Sequence, residues 1–560
     1  MTRPLFALLA ALALPAAASA FTAEQLWQAW PQARFVAQPA PCVRPTDLER
    51  YLRDLATRHP EGLRLEEVGR SVQGRAIRLL TLGGGEREVL LWSQMHGDEP
   101  SATPALLDLV DFLLSRPEDP AAAQILDRLT LRIVPMLNPD GSEVYARRNA
   151  QAIDVNRDAL SLATPEGRLL KELRDRYRPI LGFNLHDQDR RKTVGDSGVL
   201  ATNAVLAVAG DPEGTITPGR MRAKRASAAM VTALAPFVPG GMARYDEDWS
   251  PRAFGDNLTA WGTPVVLLES GGLPAGMGYE DLTRLSFVAL LRALEDLARD
   301  DLAGHDPALY DGLPRNESDA WVDVALRGGR VWQPGTPRPY RADVAFDVLR
   351  DDRAAAGCPG PHRSGSQVVE VGDARFLAAG RDVDAAGELL LPAFGVGVDG
   401  WRARRWLDGA ALARLARSGV GTVRWAVPRR HLGAALERAR QLAAQGRPRI
   451  EVVARPAELP WLVLSGPPER SGDATLAGRV EAVAGVRSAR ELAALPAAAA
   501  LARLWGVPDP AASWPVVRPG AAASLLRVDP GGDEGEDLDL RRARLVGAWL
   551  DGVEVEASGW

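Results

Sequence analysis

The chain has 560 residues, 46% of them hydrophobic and 25% charged, which excludes a disordered chain, and its length calls for more than one domain. Sixty-seven basic residues against 72 acidic ones leave a net charge of -5; with no dense Lys/Arg run besides, no nucleic-acid partner is expected.

Residues 1–20 read as a signal peptide: Arg3 supplies the positive start, residues 5–14 the apolar stretch and Ala18-Ser19-Ala20 the small-residue cleavage site. The mature chain then begins at Phe21 and is exported, periplasmic or secreted. The apolar stretch is shorter than the ~20 residues that span a bilayer, and no later segment qualifies, so no membrane span is expected. An oxidising compartment would permit Cys42 and Cys358 to pair, although two buried free thiols fit the sequence equally well.

Over residues 47–59, Leu48, Tyr51, Leu52 and Leu55 follow helical spacing, and the stretch up to residue 82 alternates as strand. Residues 89–95 (VLLWSQM) form a short apolar run, followed by a turn at Gly97 and a helix over about 102–115 with Pro100 near its start. Residues 131–137, 180–185 and 265–268 are three more runs of that kind. Near-continuous apolar strands between helical patterns predict an α/β fold, a mixed, largely parallel sheet with helices on both faces. A helix carrying Leu285, Val288, Leu290, Leu291 and Leu294 closes this unit near residue 301, and Gly, Pro, Asn and Asp concentrate over 305–319. One domain over 21–305 and an accessory region of mixed α and β over 320–560 follow. The accessory region opens with strand-like pieces at 321–326 and 341–348, then a Gly/Pro/Ser-rich stretch at 356–366 and Ala/Arg-rich helices. The acidic run at 529–539 reads as a solvated loop.

His96-Gly97-Asp98-Glu99 places two metal-ligand types three apart where an apolar strand turns toward a helix. The run 180–185 ends in His186 and the run 265–268 ends in Glu269. Ligands of open α/β sheets bind at the carboxyl ends of strands, so these residues point to one site. Two His and one carboxylate, with a fourth position open to water, is the coordination of a catalytic zinc. Such a zinc still needs a base for the water's proton, a role that suits Glu269.

The segments GRSVQGR (69–75), LLWSQMHGDE (90–99), NPDG (138–141), ARRNAQAIDVNRD (146–158), NLH (184–186) and TPVVLLESGG (263–272) occur in the order seen in the M14 zinc carboxypeptidases, which the chain resembles over residues 47–301. That resemblance implies one zinc ion per chain on His96, Glu99 and His186, with Glu269 as general base. It implies Arg147 as the stabiliser of the tetrahedral oxyanion, with Arg148 the alternative one place on, and Asn156 with Arg157 as receivers of the substrate's terminal carboxylate. A planar guanidinium suits both Arg roles. Asp98 stands where the animal digestive enzymes of the family carry Arg. The family's mobile Tyr is matched nearest by Tyr245, with Arg252 taking part of its task, and Phe254, Gly255 or Asp256 lies near the side-chain pocket.

The expected reaction is hydrolysis of the C-terminal peptide bond of a peptide or protein. A cell-wall peptide is the alternative substrate, and a non-catalytic binder of the same fold the rival of another class. Neither the oligomeric state nor the task of the accessory region is legible. Residues 373–394 look like the entry segment of amidohydrolase-type enzymes, but Gly395-Val396-Gly397-Val398-Asp399-Gly400 follows where a His-x-His pair would stand, so a catalytically silent β-rich unit is expected. His362 and His431 have no ligand spacing, and the many Trp beyond residue 305 read as packing.

Overall fold

The structure is a computed structural model that describes residues 20–245, 249–331, 340–350, 352–359, 364–386 and 389–392, together with the strands 422–428, 449–455, 461–465, 525–529, 544–550 and 553–556. It divides into two compact units, residues 1–318 with 356–358, and residues 319–355 with 359–560.

The first unit runs through α1 (Ala23–Ala33), α2 (Pro45–Arg58), β1 (Arg64–Arg70), β2 (Ala76–Leu82), β3 (Arg87–Ser93), α3 (Ala102–Leu114), α4 (Pro120–Arg128), β4 (Leu129–Val134) and α5 (Pro139–Val144). It continues with α6 (Pro165–Tyr177), β5 (Leu181–Asp187), β6 (Thr193–Val194), β7 (Asn203–Ala207), α7 (Pro218–Leu234), β8 (Met242–Arg244), α8 (Phe254–Ala260), β9 (Val265–Ser270) and α9 (Tyr279–Ala298). Its main sheet has the order β1-β2-β4-β3-β5-β9-β7-β8. The pairs β3–β4, β3–β5, β5–β9 and β7–β8 are parallel, and β1–β2, β2–β4 and β7–β9 antiparallel. This is the mixed sheet expected from the apolar runs.

Both faces are covered, and the period of two along each strand decides which residue faces which layer. Val89 and Leu91 of β3, Leu181, Phe183 and Leu185 of β5, and Val266 and Leu268 of β9 join the core beneath α1, α3, α7 and α9. The alternate residues Leu90, Trp92, Val265 and Leu267 join a second core with Leu169, Leu170 and Leu173 of α6 and Phe254 and Leu258 of α8. His186 and Glu269 fall on the α6 and α8 side by the same alternation, directly opposite one another in the β5–β9 register.

Cys42 and Cys358, for which pairing and two buried thiols were equally open, form a disulfide with Cα atoms 5.2 Å apart. Among the described residues no helix is long and apolar enough to cross a membrane. Of the expected signal peptide, residues 1–19 lie outside the described residues.

The second unit is built on strands. β11 (Trp321–Val331) pairs antiparallel with β12 (Tyr340–Arg350), which pairs with β13 (Ser364–Gly372), and β14 (Ala378–Asp384) runs parallel to β11; the short β10 (Asn316–Glu317) belongs to the first unit and pairs with β6. Val324, Leu326, Val344, Phe346, Val368 and Leu390 form its described core. A short helix, Asp352–Ala355, which the sequence pattern had not indicated, stands before the Gly/Pro/Ser-rich stretch. The Ala/Arg-rich stretches, residues 395–400, His362, His431 and the acidic residues 530–539 lie outside them.

Candidate metal centre and active site

The strand β3 ends at Ser93, and Gln94 turns the chain by adopting φ 47°, a left-handed conformation unusual for a residue with a side chain. That turn is braced by its own amide. Gln94 Nε2 donates to the Gly97 carbonyl and to Ser142 Oγ, both at 3.1 Å, and Gln94 Oε1 accepts from Thr103 Oγ1 at 2.8 Å. Gly97 then packs on the start of α5, where a Cβ would fall 2.0 Å from the Gly141 carbonyl carbon; only glycine permits that approach. Asn138 closes the arrangement. Its Oδ1 accepts from the Gly141 N–H at 2.9 Å and its Nδ2 donates to the Met95 carbonyl at 3.3 Å. The HGDE and NPDG segments are therefore one structural element that holds His96 and Glu99.

His96, Glu99 and His186 converge, each offering a ligand atom within 4.8 Å of the others. Glu99 Oε1 lies 2.8 Å from His96 Nδ1, and Glu99 Oε2 lies 2.6 Å from His186 Nδ1. All three are buried. Two imidazole nitrogens facing one carboxylate suit a divalent cation such as zinc; among the described residues this is the one such group. Burial works against ionisation of Glu99, but His96 and His186 outweigh it and hold its carboxyl well below the usual range. The imidazoles respond oppositely. Burial would lower His96, yet Glu99 and Asp154 push it up to about 9. His186 falls below its ordinary value because burial dominates there, and its Nε2 is buried without a hydrogen-bond partner.

Asp154, to which the sequence reading assigned no role, is the residue that orients His96. Its Oδ1 lies 3.0 Å from His96 Nε2, so a neutral ring keeps its proton there and presents the lone pair of Nδ1 to Glu99 and the cation position. The other oxygen, Oδ2, accepts from Arg147 Nε at 3.1 Å. Its sequence signal was an acid between the paired arginines and the Asn-Arg pair of ARRNAQAIDVNRD.

Arg147 Nη1 lies 3.0 Å from His96 Nδ1 and 3.0 Å from Glu99 Oε1, so its guanidinium rests against the ligand atoms. Arg148 turns away and donates to the Ala152 carbonyl at 3.1 Å. Asn156 Oδ1 accepts from the Phe254 N–H at 2.9 Å, which leaves its NH2 as the group free to donate and ties it to the start of α8. Arg157 is exposed, with Nη1 donating to the Asn156 carbonyl at 2.8 Å. Arg252 is exposed too, and its carbonyl accepts from the Ala159 N–H at 3.2 Å.

Glu269 is buried beside this group. Burial, and after it the charge of Glu99, pushes its carboxyl well above the usual range, while His96 and Arg147 pull the other way. Tyr245 follows β8, and the charge of Glu269, ahead of burial, raises its phenol. Phe254 is fully buried in the core and Gly255 is buried. Asp256 is half-buried, accepts from the Ser250 N–H at 2.8 Å and is pushed up to about 6 by burial, with Arg157 opposing. Burial likewise raises Asp98, helped by the charge of Glu99.

Residues 48–177 match the zinc carboxypeptidase family Peptidase_M14. Carboxypeptidase SOL1 of Arabidopsis thaliana is 33% identical over 119 residues, 20% of this chain and 24% of that protein. Carboxypeptidase M of Mus musculus is 29% identical over 185 residues, 29% of this chain and 42% of that protein. The chain thus spans from about a quarter to under half of these relatives' lengths. A crystal structure of a metallo-carboxypeptidase from Burkholderia cenocepacia aligns at 21% identity and a TM-score of 0.38, covering 46% of this chain and 69% of that one.

Proposed function

We propose, starting from the chain's membership of the M14 zinc carboxypeptidase family through residues 48–177, that this protein is an exported zinc-dependent carboxypeptidase that removes C-terminal residues from peptides. The observation that carries the reading is the buried convergence of His96, Glu99 and His186 with Glu269 and Arg147 beside them. A binder of the same fold has no use for a buried base or for a guanidinium against the ligand atoms.

His96 Nδ1, Glu99 and His186 Nδ1 would hold one zinc ion per chain, which when bound supplies Lewis acidity to the carbonyl and the attacking water. Glu269 takes the proton of that water and passes it to the leaving amine. Burial and the charge of Glu99 raise its pKa, which makes it a stronger base toward that water. Arg147, held at the rim by Asp154, is placed to meet negative charge that develops on the carbonyl oxygen. Asn156 and Arg157 receive the terminal carboxylate, and Tyr245 and Arg252 flank the substrate. The link from Asn156 to the first residue of α8 supports a terminal side chain seated along that helix, near Asp256.

A carboxylate held by an Arg in a partly desolvated site gains about 1.5–3 kcal/mol. A peptide with a free C-terminus should therefore be cleaved at least about tenfold better, in kcat/KM, than its C-terminal amide, and Arg157→Ala should erase most of that difference. Equal cleavage of acid and amide by the wild type would overturn exopeptidase action. Including D-residues and diaminopimelate linkages in the peptide set decides whether cell-wall peptides are substrates.

A further inference from the structure

Residue 21 is held at its nitrogen, its carbonyl and its ring. The Phe21 nitrogen lies 3.1 Å from Glu295 Oε1 and 3.2 Å from Oε2, centred on the carboxylate. The Phe21 carbonyl accepts from Arg292 Nη1, which also binds Glu295. The ring packs edge-on against Phe112 at 5.5 Å, itself against Phe287. The first helical turn is fixed immediately afterwards by the Thr22 and Gln25 capping box.

Glu295 is fully buried on α9. Arg292 is shared between Glu295 and Asp296, Asp296 also meets His305, and Arg299 stands 4.0 Å from Glu295 while bound to Asp301 at 2.8 Å. The cations around this carboxylate are thus already divided among other acids. With an ordinary amide at residue 21, burial pushes Glu295 up to about 7 despite Arg292. A buried carboxylate in such surroundings is short of one positive charge.

We propose that Glu295 is the receptor for the α-ammonium of residue 21, created when the leader is cut between Ala20 and Phe21, so that processing completes a buried ion pair in the folded domain. Hydrolysis of the Ala20–Phe21 bond by a signal peptidase consumes one water. Its oxygen stays on the Ala20 carbonyl carbon, which departs with the leader as a carboxylate, and the Phe21 nitrogen ends as an ammonium. The nitrogen already sits between both carboxylate oxygens, so no rearrangement is needed and the pair forms where the amide bond had been. Cleavage one residue earlier or later would place the ammonium away from the carboxylate. The inference rests on the leader reading and is independent of the peptidase reaction.

The test uses the full mature chain in two forms, one beginning at Phe21 and one retaining Ala20, each with and without Glu295→Gln. Intact mass of the exported protein should show loss of residues 1–20; a terminus elsewhere overturns the proposal. In the chain beginning at Phe21, E295Q should raise the unfolding rate in denaturant by about tenfold or more beyond its effect in the chain retaining Ala20, because both forms lose the Arg292 contact and only the first loses the ammonium pair. Equal effects in the two forms would mean that the contact is a backbone hydrogen bond alone. Should E295Q fail to fold, the α-amine of the wild type decides. Lysine occurs at 171, 192 and 224 alone, so 13C-methyl labelling resolves that amine. It should titrate more than about one unit above its ordinary 7.7–8.0, and an ordinary value overturns the proposal.

Discussion

Replacing Asp154 separates the two tasks that meet at its carboxylate. One oxygen, Oδ1, fixes His96 through Nε2 at 3.0 Å, and the other, Oδ2, anchors Arg147 through Nε at 3.1 Å. Loss of a carboxylate behind a ligating His weakens metal binding by about 10- to 100-fold, or roughly 1.4–2.7 kcal/mol. Release of an oxyanion donor costs about 10²–10³ in kcat. Asp154→Ala removes both supports and should show both losses. Asp154→Asn keeps the shape but has one oxygen for the N–H donors of His96, Arg147 and the Asn156 backbone, so one loss should dominate while the other stays small. Competition with a chromogenic chelator measures the zinc Kd, and kcat at saturating zinc isolates the Arg147 effect. A D154A protein with Kd within about twofold and kcat within about threefold of wild type would refute the assignment of Asp154 to either task.

His96→Ala and His186→Ala should each abolish stoichiometric zinc in elemental analysis, because either change leaves two donors of the set; retention of one ion per chain in both would sink the site. Glu269→Gln should keep metal and fold yet lose nearly all turnover, since an amide cannot take the proton. Because the Glu269 pKa is raised in the folded protein, the carboxylate acts as a base only above that value. In the zinc-free protein the Glu269 carboxyl should therefore titrate, by NMR, above the ordinary Glu value of about 4.3, and an ordinary value would count against the burial of this carboxyl as the cause. Gly97→Ala should destabilise the first unit by about 3 kcal/mol, the upper end of overpacking costs, because the clash is with the Gly141 backbone; an unchanged melting temperature would show that the turn can give way.

What could be read along the chain was whatever depends on near neighbours in sequence. Three of the four apolar runs of strand length end in a candidate site residue, which is a local signal. They placed His96, Glu99, His186 and Glu269 at one edge of a mixed sheet before any contact was known. The alternation that buries Leu185 in one core and turns His186 to the other face is equally local. Contacts between distant segments were not legible, because no periodicity encodes them. Nothing in ARRNAQAIDVNRD shows that Asp154 meets His96 58 residues earlier, or that Arg147 rather than Arg148 faces the ligands, since a loop has no repeating geometry from which to read the direction of a side chain. Composition alone left Cys42 and Cys358 open between a bond and two thiols; closure of a separation of 316 residues is decided by where the folded backbone brings them. The same holds for Phe21 and Glu295. Each looks ordinary in sequence, and only the packing of α9 against the segment at residue 21 puts a fully buried carboxylate opposite that nitrogen, where the low dielectric makes a single charge count.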